Sequence, residues 1–242
     1  QKMVRSDEAG SGVMFSIEIL LGSASMRNLS ALVVSAVVAT QFAHALHGSH
    51  DVQVLGALPS FSEPAGWEMA YFALLAVLVG GAAAGFTRIL YFFEDLWDRV
   101  KVHPIFRPAV GGLVVGAIGL AFPHVMGNGY ETIGDSIGSS SGGMVSLSAG
   151  VLLAVLFLKA LATSTTLGSG GSGGVFAPSL VLGAILGGLF GLGVQWITGA
   201  PVATGAYALI GMAAMVAGTT HAALTAILIV FEITDPQNSY AI

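Results

Sequence analysis

The run Gly168-Ser169-Gly170-Gly171-Ser172-Gly173-Gly174-Val175-Phe176-Ala177-Pro178 interrupts an otherwise apolar stretch. Apolar sequence leads into it from Val145 and leaves it to Trp196. Glycine loses more backbone freedom in a helix than any other residue, so a run this rich in it breaks the helix. The flanks are long enough to be membrane segments, and there a broken backbone cannot turn to water for hydrogen bonds. Irregular backbone persists at membrane depth only where protein buries it or where it lines a wet cavity. Helix breaks of this kind are where transporters place an ion or substrate site.

The composition agrees with a membrane chain. Of 242 residues, 55% are hydrophobic and 9% are charged, and the mean hydropathy is +0.85. A soluble domain carries about a quarter charged residues. The formal net charge is −5 with no basic tract, which excludes nucleic acid as a partner class. Cysteine is absent, so there are no disulfides or thiolate metal sites. Thirty-four glycines suit close helix contacts and deliberate breaks. Gln1–Gly12 is polar and lacks a signal-peptide core, and both ends are expected to be cut.

Working outward, the apolar segments are Val13–Leu21, Leu29–Leu46, Trp67–Phe86, Pro108–Phe122, Val145–Leu167, Val175–Ile197, Ala203–Val216 and His221–Ile233. A basic loop is expected between the third and fourth, with Arg88, Arg99, Lys101 and Arg107 around Glu94, Asp95 and Asp98. Lys and Arg gather at 2–27 and 88–107 and are missing from the loops at 47–66 and 126–144. The first pair therefore faces the cytoplasm and the second faces out. Ala203–Val216 and His221–Ile233 fall short of the ~20 residues that span a bilayer and read as half-spanning helices. Gly112 and Gly116 form a GxxxG pair, and Gly183, Gly187 and Gly191 share one face that admits a neighbouring backbone. An internal repeat aligns Glu18 with Glu232, setting Val13–Ile19 against Ile227–Ile233.

Three enzyme motifs overlap the glycine loop. Gly168-x-Gly170-x-x-Gly173 fits a dinucleotide fingerprint, but no strand precedes it and no acid follows until Glu232. A Walker loop would need lysine at position 174, which is glycine. Gly170-x-Ser172-x-Gly174 fits a nucleophile elbow, with His221 as a conceivable base, so an intramembrane serine hydrolase is the rival reading. The bland alternative makes Ser172 a small loop residue and His221 a residue at a helix start. The remaining reading is physical. Val175-Phe176-Ala177 opens a helix with Pro178 in its first turn, and the first N–H groups of that helix point into the loop. With the helix dipole they form an anion site without a full cation in the loop, which suits an ion that must leave as well as enter.

Gly173-Gly174-Val175-Phe176-Ala177-Pro178 resembles the GxFxP-type anion-filter motif of the CLC chloride channels and proton-coupled exchangers. Leu167–Gly191, Gly12–Glu18, Gly127-Asn128-Gly129-Tyr130 and Leu224–Asp235 are similar to further motifs of the family in its order. The resemblance starts near Gly12 and leaves only residues 1–11 unmatched. It implies an all-α, polytopic, inverted-repeat fold, with residues 12–47 ending the first repeat and 66–242 forming most of the second. It implies passage of chloride or a similar anion, with or without proton exchange, and no cofactor, metal or covalent chemistry. The site would be Gly173, Gly174, Val175, Phe176, Ala177 and Pro178, with the Val175 and Phe176 amides as donors. A homodimer through helices near 13–46 and 221–234 and a multi-pass place in the cell (inner) membrane are also implied. The family's serine loop and gating glutamate would precede residue 1, and its pore tyrosine would follow residue 242. Ile19 stands where the best-known bacterial exchangers carry a proton-relaying glutamate.

Other polar residues have plainer expected roles. Glu18 and Glu232, at apolar helix ends, are read as capping or interface residues. His44, His47 and His50 with Asp51 form an interfacial cluster rather than a metal site. Lys159 either snorkels to the cytoplasmic interface or biases anion entry.

Overall fold

The computed structural model describes residues 8–21, 26–47, 66–127, 129 and 149–233, and among these there is helix and no strand. His50, Asp51, Asn128, Tyr130, Val145–Ser148 and everything after Ile233 lie outside the described residues. So do the side chains of His44, His47 and Glu232.

Among the described residues eight α-helices follow one another: α1 Glu8–Phe15, α2 Met26–His47, α3 Glu68–Arg99, α4 Arg107–Ala121, α5 Ala149–Gly168, α6 Phe176–Thr198, α7 Thr204–Thr220 and α8 Ala223–Ile233. A π-helical turn, Ser16–Leu21, continues α1, and a short 3₁₀ turn, Pro123–Val125, follows α4. Among the described residues three helices are long and apolar enough to cross a membrane: α3, α5 and α6. The protein is therefore an all-α, multi-pass membrane chain.

α6 is the centre. More than half of its spanning window is buried (56%), against 22% for α3. One of its sides packs with Leu152 and Val155 of α5 and with Ala208, Met212 and Val216 of α7. Another packs through Leu182 and Val194 against Leu75, Val79, Ala83 and Phe86 of α3. A helix buried on both sides is apolar all round, as α6 is. The expected close approach at Gly183, Gly187 and Gly191 is present. These residues lie against Gly211, Tyr207 and Thr204 of the antiparallel α7, where a β-carbon would meet backbone or ring.

Other sequence expectations need correction. The helix expected to end at Phe86 runs to Arg99, so most of the supposed basic loop is helical. Charge does not stop a helix; Gly, Pro and caps do. The apolar stripe Leu75, Val79, Ala83, Phe86, Leu90, Trp97 continues at helical spacing beneath the charges. The loop shrinks to Val100–Phe106, closed by an Arg107–Asp98 ion pair at 2.9 Å. The Gly112/Gly116 pair faces open space, whereas Gly111 and Gly119 are the α4 glycines held against neighbours, Ser169 and Met126. α1 begins at Glu8, within the polar stretch, before Val13. α7 extends to Thr220, and His221 follows it in a left-handed conformation (φ 57°) instead of opening α8.

Candidate anion site at the glycine loop

Near its end α5 carries four consecutive hydroxyl-bearing residues, Thr163, Ser164, Thr165 and Thr166. Ser164 and Thr166 return their hydroxyls to the carbonyls of Ala160 and Ala162, both at 2.8 Å. Such back-bonding lets hydroxyls sit in an apolar helix and loosens its last turns. Gly170 then takes a left-handed φ of 82°. Its N–H donates to Leu167 O at 3.0 Å, and the Gly171 N–H donates to Thr166 O at 2.9 Å. This is the six-to-one and five-to-two pattern that closes a helix C-terminus. The buried Ser169 adds a hydroxyl bond to Thr166 O at 3.0 Å and fills the notch left by Gly111. Gly168 lies where a β-carbon would strike the Phe93 carbonyl, so the end of α5 rests on the backbone of α3.

Residues 171–174 follow as extended loop, and α6 starts at Phe176 after Val175 (φ −89°, ψ −26°), with no side-chain cap. The Val175 carbonyl is engaged, accepting from the Ser179 N–H at 3.0 Å and the Ser179 hydroxyl at 2.8 Å. Among the described residues the Val175, Phe176 and Ala177 amides have no acceptor. Ser179 also accepts from the Thr219 hydroxyl at 3.2 Å, tying this first turn to α7. The Phe176 ring meets Phe15 of α1 edge-on at 5.8 Å, which brings α1 beside the loop.

A cavity of about 340 Å³ opens between the loop, the second half of α5 and the turn after α4. Gly173, Gly174, Ala177 and Pro178 line it, with Lys159, Thr163 and Thr166 opposite. Val175 and Phe176 do not. The six expected site residues are thus contiguous but divided: four face this cavity, and two turn toward α1 and α3.

Lys159 does not snorkel. It is only 3% exposed, and its ammonium donates to Val125 O at 2.8 Å and Gly127 O at 2.6 Å. It sits near the middle of α5, about 15 Å from the helix start, too deep to reach an interface. That count along the segment was the available signal. The partner carbonyls, 32 and 34 residues away, had none. Glu18 is a cap, as expected. Its carboxylate accepts from the Thr225 N–H at 2.7 Å, the Thr225 hydroxyl at 2.6 Å and the Leu224 N–H at 3.4 Å. It closes the N-terminus of α8 from 207 residues away. Ser172 and His221, the rival catalytic pair, are both exposed and share no hydrogen bond. Among the described residues no group of His, Asp or Glu could hold a metal.

A model of the voltage gated chloride channel family matches residues 11–242. The chain belongs to this family. It is 36% identical over 224 residues to a putative chloride channel protein ClcB-like of Ralstonia nicotianae, covering 92% of this chain and 50% of that protein. It is 32% identical to a voltage-gated ClC-type chloride channel ClcB of Citrobacter koseri, covering 92% of this chain and 52% of that one. Among solved structures it resembles a slow cyanobacterial Cl⁻/H⁺ antiporter, with a TM-score of 0.77, 25% identity, and coverage of 95% and 53% of the two chains. It also shares the fold of a CLC-type fluoride/proton antiporter, with a TM-score of 0.75 at 18% identity, covering 97% of this chain and 56% of the other. The chain spans about half the length of the curated relatives it matches.

Proposed function

We propose that the protein passes a small monovalent anion, chloride or one close to it, across a membrane, with the Val175 and Phe176 amides as donors. The passage is of the channel or of the proton-coupled exchanger type; Ile19 itself cannot carry a proton. The observation that carries the reading is the head of α6. Among the described residues its leading amides have no acceptor, at a break between two membrane helices, and residues 168–178 hold no charged side chain. Partial charges of this kind attract an anion without trapping it. The relatives named above are called channels or antiporters, and the exposed, unbonded Ser172 and His221 give a hydrolase nothing to stand on.

The site comprises Gly173, Gly174, Val175, Phe176, Ala177 and Pro178, and needs no cofactor. The protein works as a homodimer in the cell (inner) membrane. Support for the dimer is the exposed apolar face of α2, with Val33, Val34, Val37, Val38 and Phe42, and that of α8, with Leu224, Ile227 and Phe231. Residues 12–47 and 66–242 are assigned to two repeats, a division supported by the packing of α1 on α8.

The test is anomalous diffraction from crystals of the full-length protein soaked in bromide, paired with flux from liposomes. A peak within hydrogen-bond distance of the Val175 and Phe176 amides, with chloride flux retained by Ser172→Ala, is expected. No peak there and no flux would defeat the reading.

A further inference from the structure

The cavity beside the loop has a feature that partial charges alone do not explain. Lys159 is the basic side chain of its lining, buried, in the middle of a spanning helix. Burying an unpaired ammonium is costly, and membrane lysines pair with an acid or with backbone carbonyls. Among the described residues no carboxylate bonds to Lys159. Its partners are two backbone carbonyls, which solvate an ammonium but carry no net charge. An ammonium has three donors, and the two carbonyls occupy two of them. Lys159 lines the cavity with Thr163, Thr166, Gly173 and Gly174. That polar wall is roomy enough for a small anion and its remaining water.

The held position of Lys159 is also built in. Val125 and Gly127 flank the end of a 3₁₀ turn, and Gly127 adopts a φ of 66°. A β-carbon on Gly129 would collide with Val181 of α6 and approach the Lys159 nitrogen to 3.6 Å. Small residues therefore let this turn close over the ammonium and fix it against α6.

We infer that this cavity is a second anion station, next to the amide site, with Lys159 as its fixed counter-charge and the Thr163 and Thr166 side chains as polar lining. The inference rests on the anion-passing role proposed above. The ligand class is a monovalent inorganic anion. A station with a full charge holds an anion more tightly than amides alone, so it raises occupancy near the loop at low anion concentration.

Bromide-soaked crystals of the full-length protein provide the direct test. A peak in the cavity beside the Lys159 nitrogen is expected in the wild type and in Lys159→Arg. It is expected to vanish in Lys159→Met and Lys159→Gln. In liposomes, the two neutral variants are expected to need on the order of tenfold more chloride for half-maximal flux, while Lys159→Arg stays near wild type. Gln keeps two N–H donors for the carbonyls but has no charge, so it separates charge from scaffolding. Rescue by Gln to wild-type chloride dependence would overturn the inference. So would an empty cavity in wild-type crystals whose Val175 and Phe176 amides hold bromide, and that result would leave the proposed function standing. Absence of both peaks together with absence of flux would defeat the two readings at once.

Discussion

Gly187 lies where α6 crosses α7, and replacing it with alanine probes whether that crossing is as close as described. A new β-carbon would fall on the Tyr207 carbonyl, with the Tyr207 carbonyl carbon at 2.8 Å and the Ala208 α-carbon at 2.9 Å. Ordinary contact begins at 3.4 Å, so the helices must part by at least about half an ångström. The obstacle is backbone, and no rotamer change removes it. Overpacking of this kind costs about 1–3 kcal/mol, and the better helix propensity of alanine offsets at most about 1 kcal/mol. A net loss of about 1–2 kcal/mol is expected. Gly193→Ala is the internal control. It is on the same helix with nothing within 4 Å of the new carbon, so only the propensity gain of up to about 1 kcal/mol applies. Gly191→Ala falls between, because its nearest neighbours are Tyr207 side-chain atoms at 3.1 Å. Equilibrium unfolding of the full-length protein in mixed micelles, followed by far-UV circular dichroism, gives the three midpoints. Coincident midpoints for Gly187→Ala and Gly193→Ala, or the reverse order, would refute the packing argument.

Two further outcomes follow from single contacts. Thr225→Val and Glu18→Gln should each destabilise the protein, and the double variant should lose less than the sum of the two, because both remove one shared clasp; additive losses in the same micelle assay would show that the clasp contributes nothing. Gly170→Ala forces a β-carbon into a left-handed conformation at φ 82° and should cost about 1–2 kcal/mol, whereas Gly174→Ala, with open space around it, should unfold like wild type while retaining or losing flux independently.

The break at Gly168–Pro178 was legible because it is local: glycine density, apolar flanks and a proline in the first turn of the next helix all lie within one window. The contact face of Gly183, Gly187 and Gly191 was legible for the same reason, since a period of four is a helix face. The length of α3 was misread because its charges resemble a loop, although Leu90 and Trp97 carry the stripe through them. The Gly112/Gly116 spacing matched a contact motif, but spacing alone does not say whether a neighbour is present, and the packed positions are Gly111 and Gly119. Lys159 was the largest loss. What decides its role is two carbonyls contributed by a turn more than thirty residues earlier, and nothing local to either segment announces the meeting. His221 shows the same limit, because a left-handed residue other than glycine or asparagine is chosen by the packing on both sides of it.

The C-terminal closure of α5 also sets the electrical character of the break. Two helices joined tail to head present opposite poles to one another, and a bare junction would be close to neutral. Here the Thr165, Thr166 and Leu167 carbonyls are all covered by donors from Ser169, Gly170 and Gly171. Among the described residues no equivalent acceptor covers the leading amides of α6. One pole is insulated and the other is bare, so the junction acts as a positive terminal. Its sign is governed by residues on the α5 side that need never touch an ion. Variation at Ser169 or Gly170 would therefore change the polarity of the junction while the Val175 and Phe176 amides stay in place.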